Sequence, residues 1–78
     1  GKHGIVKDPK VHKRVIEAVI GYANDNGFSL KGLTFSPITG GEGNIEFLGY
    51  FVNDHQENSA YCIDDVVSEA HKHFNESR

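Results

Sequence analysis

The stretch FSLKGLTFSPITGGEGNIEFLGYFV, residues 28–52, decides the architecture. Its first part, Phe28 to Ile38, is β-like and ends at Ser36-Pro37. Its last part, Asn44 to Val52, is rich in aromatic and branched residues and reads as a second strand. Between them Thr39-Gly40-Gly41-Glu42-Gly43 reads as a flexible hairpin loop. In the second strand Ile45, Phe47 and Phe51 share one face, and Glu46, Leu48, Tyr50 and Val52 share the other. Both faces are largely apolar, and such a strand expects cover on both sides.

Helices flank this unit. Asp8 is a favoured N-cap, and Pro9 suits a first helical position, where its missing N–H would have no partner. Val11, Val15, Ala18, Val19 and Tyr22 then recur at helical spacing, with Ile16 and Ile20 widening the apolar stripe. The spacing predicts a helix over 9–25, stopped near Asn24–Asn26 with Gly27 in the left-handed position after its end. Residues 1–7 read as a loop, and Asn53 to Asn58 as another. Asn58 or Ser59 is expected to cap a last helix over 60–75, with Ile63, Val66, Val67, Ala70 and Phe74 as its buried stripe. Asp64 and Asp65 near its start, and Lys72 and His73 near its end, suit the helix dipole. The order is α-β-β-α, without internal repeat or low-complexity tract.

With 78 residues, the chain is one small domain or part of a larger one, and a chain this size buries too little surface to be more than marginally stable. Small scaffolds usually compensate with disulfides, a metal or oligomerisation. The single cysteine, Cys62, forms no intramolecular bridge, and no CxxC pair exists to hold zinc. A reducing, cytosolic setting is expected. No apolar run approaches the ~18 residues of a membrane span, and no secretion signal opens the chain. The sequence contains no methionine, and we read it as a piece of a longer polypeptide. The net charge of −3, from 8 basic and 11 acidic residues, argues against a stand-alone nucleic-acid binder, whose affinity comes from neutralising phosphates. Lys2, Lys7, Lys10, Lys13 and Arg14 form either a local basic patch or, as charge patterning favours, a solvated helix face.

Four features could carry chemistry. Gly40-Gly41-Glu42-Gly43 could offer N–H groups to a phosphate. It joins two strands and lacks the GxGxxG spacing, which favours a plain hairpin turn. The five histidines, His3, His12, His55, His71 and His73, read as solvent-exposed. His71 and His73 are two apart and point to different sides of a helix, so no metal site is expected. Cys62, placed on the last helix beside two acidic residues that disfavour a reactive thiolate, reads as a semi-buried packing residue. Glu46 is a carboxylate inside an otherwise apolar strand face, costly to bury unless hydrogen-bonded or paired. It is either functional or an edge residue reaching solvent or a helix lysine.

The run Gly32-Leu33-Thr34-Phe35-Ser36-Pro37-Ile38, followed by Gly43-Asn44-Ile45-Glu46-Phe47-Leu48 and Tyr50, resembles the C-terminal block of TlyA/hemolysin A proteins. So does Gly4-Ile5-Val6-Lys7-Asp8-Pro9-Lys10-Val11-His12 upstream. The resemblance covers about residues 1–52, and the last helix, carrying no matching motif, reads as a lineage-specific tail. The family joins an S4 RNA-binding domain to an FtsJ-like methyltransferase domain that methylates ribose 2′-hydroxyls of ribosomal RNA with S-adenosylmethionine. The resemblance implies that residues 1–78 form the C-terminal segment of that α/β, Rossmann-type domain. They would supply its last crossover helix and an antiparallel pair of final strands, flanked by helices.

FtsJ-like enzymes use a Lys-Asp-Lys-Glu tetrad in which a lysine is the general base and the acidic members position and tune it. Glu46 matches the glutamate; the other three belong to segments outside this chain, and Lys2 falls in a different motif. Ser36 and Asn44 flank the strand ends and could orient the ribose or Glu46, although Asn44 could equally serve a left-handed loop conformation. The segment alone is expected to be inactive, to bind no S-adenosylmethionine and no metal, to meet ribosomal RNA only through the full-length parent, and to be cytoplasmic. Exposed apolar sheet surface predicts self-association. The competing expectation is a stand-alone α/β protein-interaction or dimerisation module without catalysis. Membrane lysis would need a cationic amphipathic or long apolar segment, and neither is present.

Overall fold

The computed structural model describes residues 8–76; the expected loop over 1–7, with Lys2, His3 and Lys7, lies outside the described residues. Helix α1 spans Pro9–Asp25, strand β1 Ser29–Phe35, a short 3-10 turn Gly41–Gly43, strand β2 Phe47–Val52 and helix α2 Ile63–Glu76. The α-β-β-α order is thus as the sequence predicts, with the two strands antiparallel.

Local chemistry sets the bounds of α1. Asp8 accepts a hydrogen bond from the Lys10 amide at 2.9 Å, and Pro9 opens the first turn. At the other end Gly27 has φ +88°, its amide donates to the Asn24 carbonyl, and the Phe28 amide donates to the Ala23 carbonyl. These two bonds satisfy carbonyls that have no partner inside the helix.

Ser29 pairs with Val52, and the register runs to Phe35 opposite Phe47. A bulge lies between Leu30 and Gly32. It matters because Leu30 and Leu33 are an odd number apart and would otherwise point to opposite faces. With the extra residue, Leu30, Leu33 and Phe35 stand opposite Phe51, Gly49 and Phe47, all on one face. Ile16 and Ile20 of α1 and Ile63 and Val67 of α2 close over that face, with Leu30 completely buried at the centre. The other face, with Leu48 and Tyr50, has no cover among the described residues, and Tyr50 is 67 % exposed.

Several boundaries differ from expectation. β1 stops at Phe35, before Ser36, whose hydroxyl accepts from the Ile38 amide at 3.3 Å and turns the chain. β2 starts at Phe47 rather than Asn44, because the 3-10 turn occupies Gly41–Gly43 and the Asn44 amide returns to the Gly41 carbonyl. Neither Asn58 nor Ser59 caps α2, which begins at Ile63. Asn58 is drawn to β1 instead: its carboxamide oxygen accepts from the buried Leu30 amide at 2.8 Å and from Asn24 at 2.9 Å. The Ser59 amide donates to the Leu30 carbonyl at 2.8 Å, so this loop occupies the outer edge of β1 where Leu30 would otherwise leave two backbone groups unpaired. Cys62 precedes α2, is exposed, and contributes its carbonyl to the Val66 amide; it is not a packing residue.

The stripe on α1 is also rotated from expectation. The buried positions are His12, Ile16 and Ile20, one turn apart, whereas Val15 and Val19 are 55 % and 53 % exposed and Tyr22 is largely open. Two apolar strips run along this helix, and only one meets the sheet and α2. The other borders a groove of about 380 Å³ between α1 and the free edge of β2, lined by Val11, Val15, Val19, Ile45 and Leu48.

Candidate functional site at the hairpin loop

The loop from Ser36 to Glu46 stands at the carboxyl end of β1. Its neck is a backbone bond: the Ser36 amide donates to the Glu46 carbonyl at 2.8 Å. Further out, the Gly40 amide donates to the Asn44 carbonyl at 2.8 Å, and the Gly43 amide donates to the Gly40 carbonyl at 3.2 Å. The Asn44 side chain donates to the Gly41 carbonyl at 3.4 Å. Gly43 takes φ +82°, which a side chain would resist. Asn44 itself has φ −71°, so the left-handed role considered for it does not apply. The amides of Gly40 and Gly43 are turned inward on their own loop and offer no cradle for a phosphate, in agreement with the turn reading.

Ser36, Asn44 and Glu46 therefore come together on one loop. Glu46 lies just before β2 rather than inside it, and its side chain is exposed. The carboxylate folds back over Gly40, where a methyl group would run into it. The loop also touches α2, with His73 Nε2 3.3 Å from the Pro37 carbonyl, a distance that only the Nε2–H form can use as a donor.

The histidines are not all in solvent. His12 is 8 % exposed, and its Nδ1 lies 2.8 Å from His71 Nε2, one nitrogen donating and the other accepting across the contact between the helices. The His12 ring also meets Phe47 edge-on. Burial, reinforced by the nearby His71 and opposed by Asp8, pushes the His12 pKa below its ordinary value of 6.5. The helical register held the clue: His12 precedes Ile16 by one turn and Ile20 by two, so it belongs to the buried row. His71 and His73 do point apart, one to His12 and one to Phe35. No group of three or more potential metal ligands occurs among the described residues.

On α1, Lys10 and Lys13 border one shallow groove together with Asp64 and His71 of α2. Lys13 is paired with Asp64 of α2 at 3.0 Å, which raises the lysine's pKa chiefly through the shared hydrogen bond. No helix among the described residues is long and apolar enough to cross a membrane.

No family model matches the chain. Individual relatives do. A Bacillus subtilis protein, "Putative rRNA methyltransferase YqxC", is 47 % identical over 83 aligned residues, covering all of this chain and 30 % of the relative. "Hemolysin A" of Brachyspira hyodysenteriae is 37 % identical over 51 residues, 65 % of this chain and 21 % of the relative. The chain is thus similar to a short part of proteins named as an rRNA methyltransferase and a hemolysin A. Solved structures carry the same fold. A hemolysin-named protein from Streptococcus thermophilus superposes with a TM-score of 0.87 at 47 % identity, over 94 % of this chain and 27 % of that one. One from Lactococcus lactis gives 0.75 at 42 % identity, over 95 % and 34 %. The chain therefore spans about a third or less of the proteins it matches. The match to the Bacillus protein includes α2, so this helix is shared with a relative and is not a lineage-specific tail.

Proposed function

We propose that this chain is the closing segment of an S-adenosylmethionine-dependent methyltransferase domain, acting in a longer cytoplasmic protein on ribose 2′-hydroxyls of ribosomal RNA. The observation that carries the reading is where Glu46 sits. In open α/β sheets ligands bind beyond the carboxyl ends of the parallel strands. Ser36 holds Glu46 at that end of β1 through a backbone bond, and the Glu46 side chain is exposed there, lying over Gly40. The relative named as an rRNA methyltransferase supports the same reaction class.

The segment's contribution is limited to that end. Among the described residues the glycine loop does not suit a cofactor site: it joins two strands and closes on its own carbonyls instead of opening a helix. Glu46 supplies negative charge beside the target ribose and orients a lysine base contributed from outside these residues. Ser36 and Asn44 fix the loop that presents it. In the whole protein, Glu46→Ala is expected to lower single-turnover methyl transfer by about 10²-fold or more while leaving S-adenosylmethionine affinity nearly intact. An unchanged rate removes Glu46 from the site. The isolated chain is expected to show no heat of binding with S-adenosylmethionine, and micromolar binding would overturn its assignment as an incomplete segment.

The open groove beside β2 and the uncovered Leu48–Tyr50 face favour one further reading, a stand-alone α/β interaction or dimerisation module. In the methyltransferase reading, other parts of the longer chain cover these surfaces, and the isolated segment associates with a second copy. The coding sequence upstream separates the two: an S4 domain and a methyltransferase core support the enzyme, and their absence supports the module.

A further inference from the structure

We infer that Gly40 is a positioning residue for Glu46, a glycine kept for the space it leaves and not for its backbone; this rests on the reading of Glu46 given above. Gly40 has φ −83° and ψ −157°, extended backbone with negative φ, so no left-handed conformation requires glycine there. Gly43, with φ +82°, is the loop's conformational glycine. The three heavy atoms nearest to a Cβ built on Gly40 all belong to the Glu46 side chain. The carboxylate oxygen Oε2 is the closest, with Cδ at 2.6 Å and Cγ at 3.0 Å. At Gly41, next door, such a Cβ meets nothing within 4 Å. At Gly40 the place of the missing methyl group is thus the seat of a carboxylate.

Geometry also separates position from stability. A methyl group at Gly40 meets the far end of a flexible side chain, not backbone, so the loop accepts it by turning the carboxylate away. Its neck bonds, Ser36 to Glu46 and Gly40 to Asn44, use only backbone atoms and are retained. The fold survives while the acidic group is displaced by the width of a methyl. Displacements of this size at a reacting centre cost up to about 10²-fold in rate.

The test is a comparison of Gly40→Ala and Gly41→Ala in the full-length protein, each with Glu46 retained and in a Glu46→Ala background. Gly40→Ala is expected to lower kcat about 10- to 100-fold with KM for RNA and thermal midpoint close to the parent's. Gly41→Ala should match the parent. In the Glu46→Ala background Gly40→Ala should cost nothing more, since no carboxylate remains to displace. A parental kcat for Gly40→Ala, or the same loss in both backgrounds, overturns the inference while leaving Glu46 in place. A parental kcat for Glu46→Ala alone overturns the functional reading itself. A second readout needs no activity. In the 78-residue chain, the side-chain carboxyl ¹³C resonance of Glu46 should move with Gly40→Ala and stay with Gly41→Ala. An unmoved resonance in the Gly40 variant is equally decisive against the idea.

Discussion

Where β1 begins and β2 ends, Ser29 donates to Asp54 at 2.7 Å, the His55 amide donates to the Gly27 carbonyl, and Asn58 bridges Asn24 and the Leu30 backbone. Asp54 is held below its usual pKa by Ser29 first, and also by the Gln56 amide and Lys31. Where β1 ends and β2 begins, the loop is closed largely by its own backbone and presents Glu46 to solvent. One end joins helix, strand and loop through side chains whose only evident task is structural. The other spends few side chains on itself and keeps its acidic group available. Stability and candidate chemistry therefore occupy opposite ends of one hairpin, and substitutions should separate them.

The largest effect is expected at the tied end. Leu30→Ala removes the fully buried centre of the core and should cost about 2–5 kcal/mol, enough to unfold much of a marginal chain, as followed by circular dichroism in urea. A cooperative transition at the parental midpoint would contradict the core described here. Asn58→Ala strands the Leu30 amide and takes from Asn24 its bonds to Asn58, leaving it the Phe28 carbonyl, for about 1–3 kcal/mol in the same assay. Gly27→Ala should cost roughly 1–2 kcal/mol, because φ +88° is unfavourable with a Cβ and that atom would strike the His55 ring. A neutral outcome would show that this turn adapts freely and weaken the contrast between the ends.

Acidification should act through the helix contact. The lowered pKa of His12 means the unfolded chain takes its proton before the folded one. Stability is fully present above 6.5 and declines as pH falls from there towards the lowered folded value. Thermal midpoints measured between pH 7 and about pH 5 should fall in the parent and flatten in His12→Leu; parallel slopes would clear His12 of the effect. The smallest change is predicted at the open end, where Gly41→Ala should stay within about 0.5 kcal/mol of the parent. A loss exceeding that of Gly27→Ala would reverse the comparison.

The bounds of α1 were legible because its start and stop are local chemistry, Asp8-Pro9 and Gly27. The hairpin was legible from two apolar runs around a glycine cluster. Choices made across the fold were not. The bulge that turns Leu30 and Leu33 to one side answers to packing against both helices. Asn58 is a good local cap, but a buried strand amide competes for it and wins. Which strip of α1 faces inward depends on where α2 lies, and that error left His12 in solvent. At the loop, the grouping of Ser36, Asn44 and Glu46 followed from the hairpin itself. The seat at Gly40 did not, because it is a contact between residues six apart whose closeness only the turn creates.

The loop strand-substitute at Asn58–Ser59 gives the sheet a direction of growth. A further strand laid against β1 would have to displace the loop from both backbone groups of Leu30, whereas β2 has no such competitor among the described residues. Copies that join edge to edge can thus use β2 once each, which closes a pair and leaves no template for a fibre. Sedimentation of concentrated chain should reach a plateau at twice the monomer mass rather than a continuing rise.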